Sequence, residues 1–479
     1  MIYLNKILNK IDYHSNDNID NIIITQITHN SKEVQNGALF IALSGYNTDG
    51  NKFINEAIAN GAKAIISNVE NQNSSVPFIR VENPRKVLSK ASSIFNNTIS
   101  ENMTILGVTG TNGKTSITEI INFVLKQYNI NCCTVGTLGL KTKHGILNTN
   151  FTTPESNQIH HYLNTMNKNN INNAILEVSS HALDLNRVDD IKFDIGIFSN
   201  LSPEHLDFHK TMDSYFQSKL KLFKKLKSNN SAIINIDDKY SNQIIDSTKC
   251  NIIKYSLKKR TDIFIKKFTC DLNGTRAIVN IFNKDFKIKS ALIGKYNLYN
   301  ILASIGACIA LRIPKESIIN SINLFKSIPG RLESIPNKSN KKIFVDYAHT
   351  PDAYENVLST LQTYSNKKII TVFGCGGNRD NSNRSKMAAI AEKFSNFVIV
   401  TSDNPRNENL KKIISEIIAG FKKNNYKVNL NRKEAIKDGI KMMSKNHLLI
   451  ILGKGRENYE LINKIKIYHS DIDTIKNFA

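Results

Sequence analysis

The sequence has no apolar run near the roughly 20 residues of a bilayer-crossing helix, so no membrane span is expected. Its first ten residues, Met1-Ile-Tyr-Leu-Asn-Lys-Ile-Leu-Asn-Lys10, lack a continuous apolar core and a small-residue cleavage site. They read as the first helix of a domain and not as a secretory signal. Cysteine is sparse and scattered, at Cys132, Cys133, Cys250, Cys270, Cys308 and Cys375, with no Cys-x-x-Cys pair. That pattern argues against a disulfide framework and a zinc site, and suits a reducing cytoplasm. Acidic residues are outnumbered, 41 Asp and Glu against 64 Lys and Arg, for a net charge of +23. Such an excess invites a nucleic-acid reading. The lysines, however, are spread along the chain among many Asn and Ile, so no nucleic-acid partner is expected. A polyanionic nucleotide substrate would equally favour a positive cleft. Tandem repeats and long linkers are also missing.

What is present is organised around Ile105-Leu-Gly-Val-Thr-Gly-Thr-Asn-Gly-Lys-Thr115. An apolar run (Ile105, Leu106, Val108) leads into a glycine-rich turn. Then Ile117, Ile120, Ile121, Val124 and Leu125 recur at helical spacing. Strand, glycine loop and helix make a phosphate cradle, with backbone N–H groups and the positive helix end facing the anion. Lys114 would reach the terminal phosphates and the Thr115 hydroxyl would hold magnesium. The strict P-loop spacing needs glycine at 108, where this chain has Val108, so a shorter Gly-Thr-Asn-Gly-Lys-Thr loop stands.

A chain of 479 residues is long enough for two to four domains. Segment 1–98 reads as a small α/β domain. Segment 99–328 alternates strands and helices around the glycine loop, which predicts a parallel, doubly wound sheet. From 329 to 479, strands recur at 343–345, 369–373, 397–401 and 448–452, a second Rossmann-like α/β unit. In such sheets ligands bind at the carboxyl ends of the strands, where Asp346, Gly374, Asp403 and Gly453 stand. Glu177 ends a strand of the middle segment, an acid able to bind magnesium beside Thr115 or to cap the next helix. His205 and His209 follow another strand. Lys219 shares a helix with Lys221, Lys224 and Lys225, which by pattern alone is a solvated charged face. Asp403-Asn-Pro-Arg406 puts a guanidinium, suited to gripping a carboxylate, at a strand end. Gly453-Lys-Gly-Arg-Glu457 adds an anion that would hold an ammonium group. ATP plus a zwitterion suggests carboxylate activation followed by amine attack.

The loop at 110–115, Thr152-Thr-Pro154, Glu177-Val-Ser-Ser-His181, Asn200-Leu-Ser202 with His205, and Asp346-Tyr-Ala-His-Thr-Pro351 together resemble the Mur ligase family. The resemblance spans essentially the whole chain. It implies three α/β domains: a uridine-binding domain, a P-loop ATPase-like domain and a Rossmann-like amino-acid domain. Gly374-Cys-Gly-Gly, Arg379-Asp380 and Asp403-Asn-Pro-Arg406 resemble members that add meso-diaminopimelate to UDP-N-acetylmuramoyl-L-alanyl-D-glutamate with ATP and magnesium. By the resemblance, Gly110, Thr111, Asn112, Gly113, Lys114, Thr115, Ser116, Asn297, Asn300, Arg331 and Asp346 meet ATP. Ser31, Thr152, Thr153, Ser179 and Arg187 bind the UDP-linked dipeptide. Arg379, Asp403, Asn404, Arg406, Gly453 and Glu457 take the amino acid. Thr115, Glu177, His205 and a carbamylated Lys219 serve magnesium, and Lys114, Lys219, His205 and Glu177 are catalytic. A cytoplasmic monomer is expected. The family's Asp-Ser-Arg is Asn30-Ser31-Lys32 here, its Gln two before Arg187 is Leu185, and its Gly-Lys-Gly-His-Glu carries Arg456 for His. A lysine-adding ligase is the nearest alternative, and Arg406 argues against it because lysine has no second carboxylate. A non-catalytic binder of the same fold is a further alternative, opposed by the intact Lys114, Thr115, Glu177, His205 and Lys219.

Overall fold

The computed structural model describes residues 1–45, 48–70, 74–97, 103–149 and 151–479. The chain folds as two compact units, residues 1–201 with 209–253, and residues 202–208 with 254–479. The expected 98/99 domain boundary lies outside the described residues. No described helix is long and apolar enough to cross a membrane.

Besides a short two-stranded pairing at the amino terminus, the first unit holds strands of two larger sheets. The smaller is fully parallel, in the order Gln26–Thr28, Ala38–Ile41, Ala62–Ser67, Phe78–Arg80. It is buried on both faces, with Leu39, Ile41 and Ile66 on one side and Phe40 and Ile65 on the other. Double burial explains its continuous apolar runs. The amino terminus carries the expected first helix, though a short one that follows a two-residue strand. Ile2–Tyr3 pairs antiparallel with Ile23–Ile24, and only Leu4–Leu8 is helical.

In the larger sheet, Cys132–Gly136, Asn173–Glu177, Thr104–Thr109, Ile195–Phe198 and Ser231–Asn235 lie side by side and parallel. The expected doubly wound sheet is therefore present, with Thr104–Thr109 at its centre. Its core gathers Ile105, Leu176, Phe198, Phe216 and Phe223, all nearly inaccessible.

The second unit contains the antiparallel strands Ile263–Asp271, Gly274–Ile281 and Lys284–Ser290, and the helix Lys295–Ala310. Its main sheet runs Glu333–Ser334, Ile343–Asp346, His447–Leu452, Lys368–Phe373, Phe397–Val400, Tyr426–Val428. All neighbours are parallel except the first pair. Helices cover both faces. Asp346, Gly374, Asp403 and Gly453 thus gather at one edge, the carboxyl ends of adjacent strands, as the strand pattern required. The α/β class holds throughout.

Candidate active site

The glycine loop is built by the strand Thr104–Thr109 and the helix Lys114–Gln127. Gly113 caps that helix with φ 93°, a left-handed value glycine takes freely. Asn200 braces the loop: its carbonyl accepts from Thr111 N at 2.8 Å, its Oδ1 from Asn112 N at 3.0 Å. Its Nδ2 donates to Asn112 O at 3.0 Å. Gly110 packs so closely that a Cβ there would lie 1.9 Å from Ser199 Oγ. Lys114 opens the helix, and its ammonium donates to Gly110 O and Thr111 O, each at 2.8 Å. Lys219 Nζ donates to the same Gly110 O at 3.0 Å and lies 4.5 Å from the Tyr215 ring centre. Two ammonium groups therefore converge on one carbonyl at a positive helix end, a field that suits phosphate.

Lys219 corrects the reading of its helix as a solvated face. The helix Met212–Lys224 buries Lys219 to 1% exposure with Tyr215, Phe216, Leu222 and Phe223, while Lys221 and Lys224 stay in solvent. Spacings of three and four residues put Lys219 on the apolar stripe.

Glu177 ends its strand with 2% exposure. Its Oε2 accepts from Thr115 Oγ1 at 2.9 Å and Thr137 Oγ1 at 3.0 Å, and its Oε1 from Thr137 N at 3.1 Å. A hydroxyl beside a buried carboxylate is the hard oxygen donor set magnesium prefers, so these two residues fit the metal. Among the described residues no three His, Cys, Asp or Glu side chains cluster as a metal site. His205 lies in segment 202–208, counted with the second unit, at φ 57° and with Nε2 3.7 Å from Glu204. The four expected metal residues are thus not gathered within one unit.

A second cluster of the first unit surrounds Thr153. Its Oγ1 donates to Glu177 O at 2.7 Å and to Ser179 Oγ at 3.2 Å. Arg187 Nη1 donates to Thr153 O at 3.0 Å, and its Nη2 pairs with Glu155 at 2.7 Å. Thr152 Oγ1 meets Thr137 Oγ1 at 3.2 Å, and the Phe151 ring lies 4.7 Å from the Arg187 guanidinium. Ser31 belongs to the smaller sheet's side of the unit and donates to Glu56 at 2.9 Å. Asn30 Oδ1 caps that turn by accepting from Lys32 N at 3.2 Å, as an aspartate would.

In the second unit Arg406 Nη1 donates to Gly377 O at 2.6 Å, and a Cβ on Gly376 would lie 2.8 Å from that nitrogen. Arg379 is close enough to Arg406 to repel its charge. Opposite in sign, Glu457 Oε2 accepts from Asn404 Nδ2 at 2.9 Å and Lys454 Nζ at 3.3 Å. Lys454, fully buried, also donates to Asn404 Oδ1 at 2.9 Å and lies 3.6 Å from Asp403. Gly453 follows its strand at φ 111° with Asp403 Oδ2 against it. Asp346 accepts from Leu332 N at 2.5 Å and Ala348 N at 2.7 Å, and burial raises its pKa against the opposing Arg331. Asn297 and Asn300 sit in the first turns of their helix, joined at 3.1 Å. Sequence reasoning assigned no role to Thr137 and Glu155, and named Asn200, Tyr347 and Lys454 only as members of their motifs. For Glu155 the signal was an acid directly after Pro154 at a helix start.

Residues 108–308 match the Mur ligase middle domain, 330–455 the Mur ligase glutamate ligase domain, and 23–96 the catalytic domain of the Mur ligase family. A UDP-N-acetylmuramoyl-L-alanyl-D-glutamate–2,6-diaminopimelate ligase of Clostridioides difficile is 40% identical, covering 99% of this chain and 98% of that protein. The chain belongs to the Mur ligase family. A ligase of the same name from Aquifex aeolicus is also 40% identical, over 94% of this Mur ligase and 92% of its own length. A solved structure titled as that ligase superposes with a TM-score of 0.70 at 29% identity, covering 99% of this chain and 98% of the other. In this Mur ligase the glycine loop falls in the matched middle domain and the loops at 374–377 and 403–406 in the glutamate ligase domain.

Proposed function

We propose that this Mur ligase joins meso-diaminopimelate to UDP-N-acetylmuramoyl-L-alanyl-D-glutamate with cleavage of ATP, a cytoplasmic step in making the peptidoglycan precursor. The observation that carries it is the charged cluster at the strand ends of the second unit. There Arg406 and Arg379 bring guanidinium groups near the carboxylates of Asp403 and Glu457, whose charge the buried Lys454 partly neutralises. That pairing matches a zwitterion with a carboxylate to grip, and relatives with 40% identity carry this reaction in their names.

In this reading, segment 1–98 with Ser31 and the Thr152, Thr153, Ser179, Arg187 cluster hold the UDP-linked dipeptide. Segment 99–328 holds ATP and segment 329–479 the amino acid. The D-glutamate side-chain carboxylate attacks the γ-phosphorus, an acyl phosphate forms and ADP leaves. The diaminopimelate amine then attacks the acyl carbon, and phosphate leaves as the nitrogen loses a proton. Lys114, Ser116 and the N–H groups of Gly110 and Gly113 bear the phosphoryl charge through the transfer, while those of Thr111 and Asn112 are held by Asn200. Asn297, Asn300, Arg331 and Asp346 meet the rest of the nucleotide. When bound, magnesium would supply charge neutralisation on the phosphates, with Thr115 and Glu177 to hold it and His205 and a carbamylated Lys219 serving it as the family resemblance implies. Glu457 orients the substrate ammonium and Arg406 the distal carboxylate.

The test is phosphate release from ATP with the UDP-linked dipeptide and either amino acid. Release that depends on diaminopimelate and exceeds that with lysine is expected. Faster release with lysine would overturn the assignment of Arg406.

A further inference from the structure

Two loops of the second unit are locked together beyond the needs of their separate tasks. One is Ile328-Pro-Gly-Arg-Leu-Glu333, which carries Arg331. The other is Gly453-Lys-Gly-Arg-Glu457. Arg456 donates to Glu333 through both Nε, at 2.9 Å, and Nη2. Glu333 is only 5% exposed, and its Oε2 also accepts from Gly330 N at 2.7 Å. A buried carboxylate forked to one loop and bonded to the backbone of the other is a strong, directional clamp. The backbones touch as well: a Cβ on Gly330 would lie 3.0 Å from Arg456 N, and one on Gly455 would lie 3.1 Å from Gly330 O.

Tyr347 makes the second tie. Its N donates to Gly330 O at 2.9 Å, its ring centre lies 4.9 Å from the Arg331 guanidinium, and its hydroxyl donates to Glu457 Oε1 at 3.4 Å. One side chain therefore touches both the arginine assigned to ATP and the carboxylate assigned to the incoming ammonium. Tyr347 thus lies on a continuous path of contacts from Arg331 to Glu457, alongside the tighter clamp at Arg456 and Glu333.

We infer that Arg456 and Glu333 are positioning residues that couple the nucleotide site to the amino-acid site, so that bound nucleotide strengthens the grip on diaminopimelate. The inference rests on the roles proposed above for Arg331 and Glu457. Neither Arg456 nor Glu333 is among the residues assigned to a substrate in the reading above. Their role is to make the 328–333 and 453–457 loops move as one body. Coupling of this kind is reciprocal and typically worth about five- to 150-fold in affinity.

The test is calorimetric titration of meso-diaminopimelate into the full-length protein saturated with the UDP-linked dipeptide, with and without a non-hydrolysable ATP analogue. In the parent protein the analogue is expected to tighten diaminopimelate binding at least about fivefold. Arg456→Ala is expected to abolish most of that factor, while its affinity for the analogue alone changes less than about threefold. Arg456→Lys, which keeps the charge but loses the fork, should fall between the two. Because Arg456 is half-exposed, the alanine variant is expected to fold, and its thermal midpoint checks this. An unchanged coupling factor in Arg456→Ala, or no coupling in the parent, would overturn the inference while leaving the ligase assignment standing. A parent that binds neither analogue nor diaminopimelate would overturn both.

Discussion

Arg406 carries a left-handed backbone, φ 53°, yet is not glycine. The strain is held by two bonds to the hairpin at 459–468: its N donates to Leu461 O and its O accepts from Asn463 N, each at 2.9 Å. This aims the guanidinium across Gly376 and Gly377. Removing a charge-assisted bond costs about 1.5–3 kcal/mol, so Arg406→Ala is expected to lower kcat/KM for diaminopimelate about ten- to 100-fold. The KM for ATP should stay unchanged, and steady-state phosphate release with either substrate varied checks both. Lys219 permits a sharper discrimination. If it works as a plain cation, Lys219→Arg retains the charge and much of the rate. If it works as a carbamate, arginine abolishes the anion, and we expect turnover to fall by roughly 100-fold or more, the scale of losing a transition-state contact. Intact mass before and after removal of dissolved carbon dioxide reads the modification directly. The burial of Lys219 was legible in its spacing from Tyr215 and Phe223, four residues either side. The surrounding lysines hid it, because pattern alone does not say which stripe of a helix is covered.

The strand ends were the most legible elements. Each buried strand of the second unit is a run such as His447–Leu452 or Lys368–Phe373, and the proposed ligand loop is the segment directly after it in the chain. The hairpin of Tyr459–Ile462 and Ile465–Tyr468 was not legible, because its apolar residues Ile465, Ile467 and Tyr468 face solvent and so give no burial alternation. Nor was the brace at Arg432 visible. This buried guanidinium pairs with Asp471 at 2.8 and 2.7 Å and donates to Ser402 O at 3.1 Å and Leu452 O at 2.9 Å. Those carbonyls directly precede Asp403 and Gly453, so one side chain sets the spacing of both loops. Burial pushes the Asp471 carboxyl up, but Arg432 and its hydrogen bonds outweigh that and hold it well below the usual carboxylate range. Its stabilisation is therefore complete above the unfolded value of about 3.9 and is lost as pH falls below it. Arg432→Met leaves Asp471 buried without its partner and is expected to lose about 3–5 kcal/mol, read from urea midpoints at neutral pH. The same variant should show a smaller loss of stability between about pH 5 and pH 2 than the parent does, since its Asp471 no longer has a depressed pKa to lose.

At the scale of the whole molecule, segment 202–208 groups with residues 254–479 although it comes directly after a strand of the first unit. Ser202 Oγ donates to Asp352 at 3.1 Å across 150 positions, a link no local pattern contains. The net charge of +23 is likewise a property of the whole. Its buried or half-buried cations, Lys114, Lys219, Arg187 and Arg406, are built into the proposed sites, while most lysines are dispersed over the surface. A dispersed positive field speeds the arrival of small polyanions without presenting the register of phosphate contacts that a duplex needs. Raising salt from about 50 to 500 mM shortens the screening length several-fold. The kcat/KM for ATP and for the UDP-linked dipeptide is therefore expected to fall several-fold over that range, with kcat at saturation nearly constant. The neutral zwitterion diaminopimelate should show little change in KM, which separates steering from general salt damage. Duplex DNA at the same low salt is expected not to compete with the UDP-linked substrate. Strong inhibition by duplex that vanishes at high salt would instead mean that the surface charge forms a phosphate-reading face.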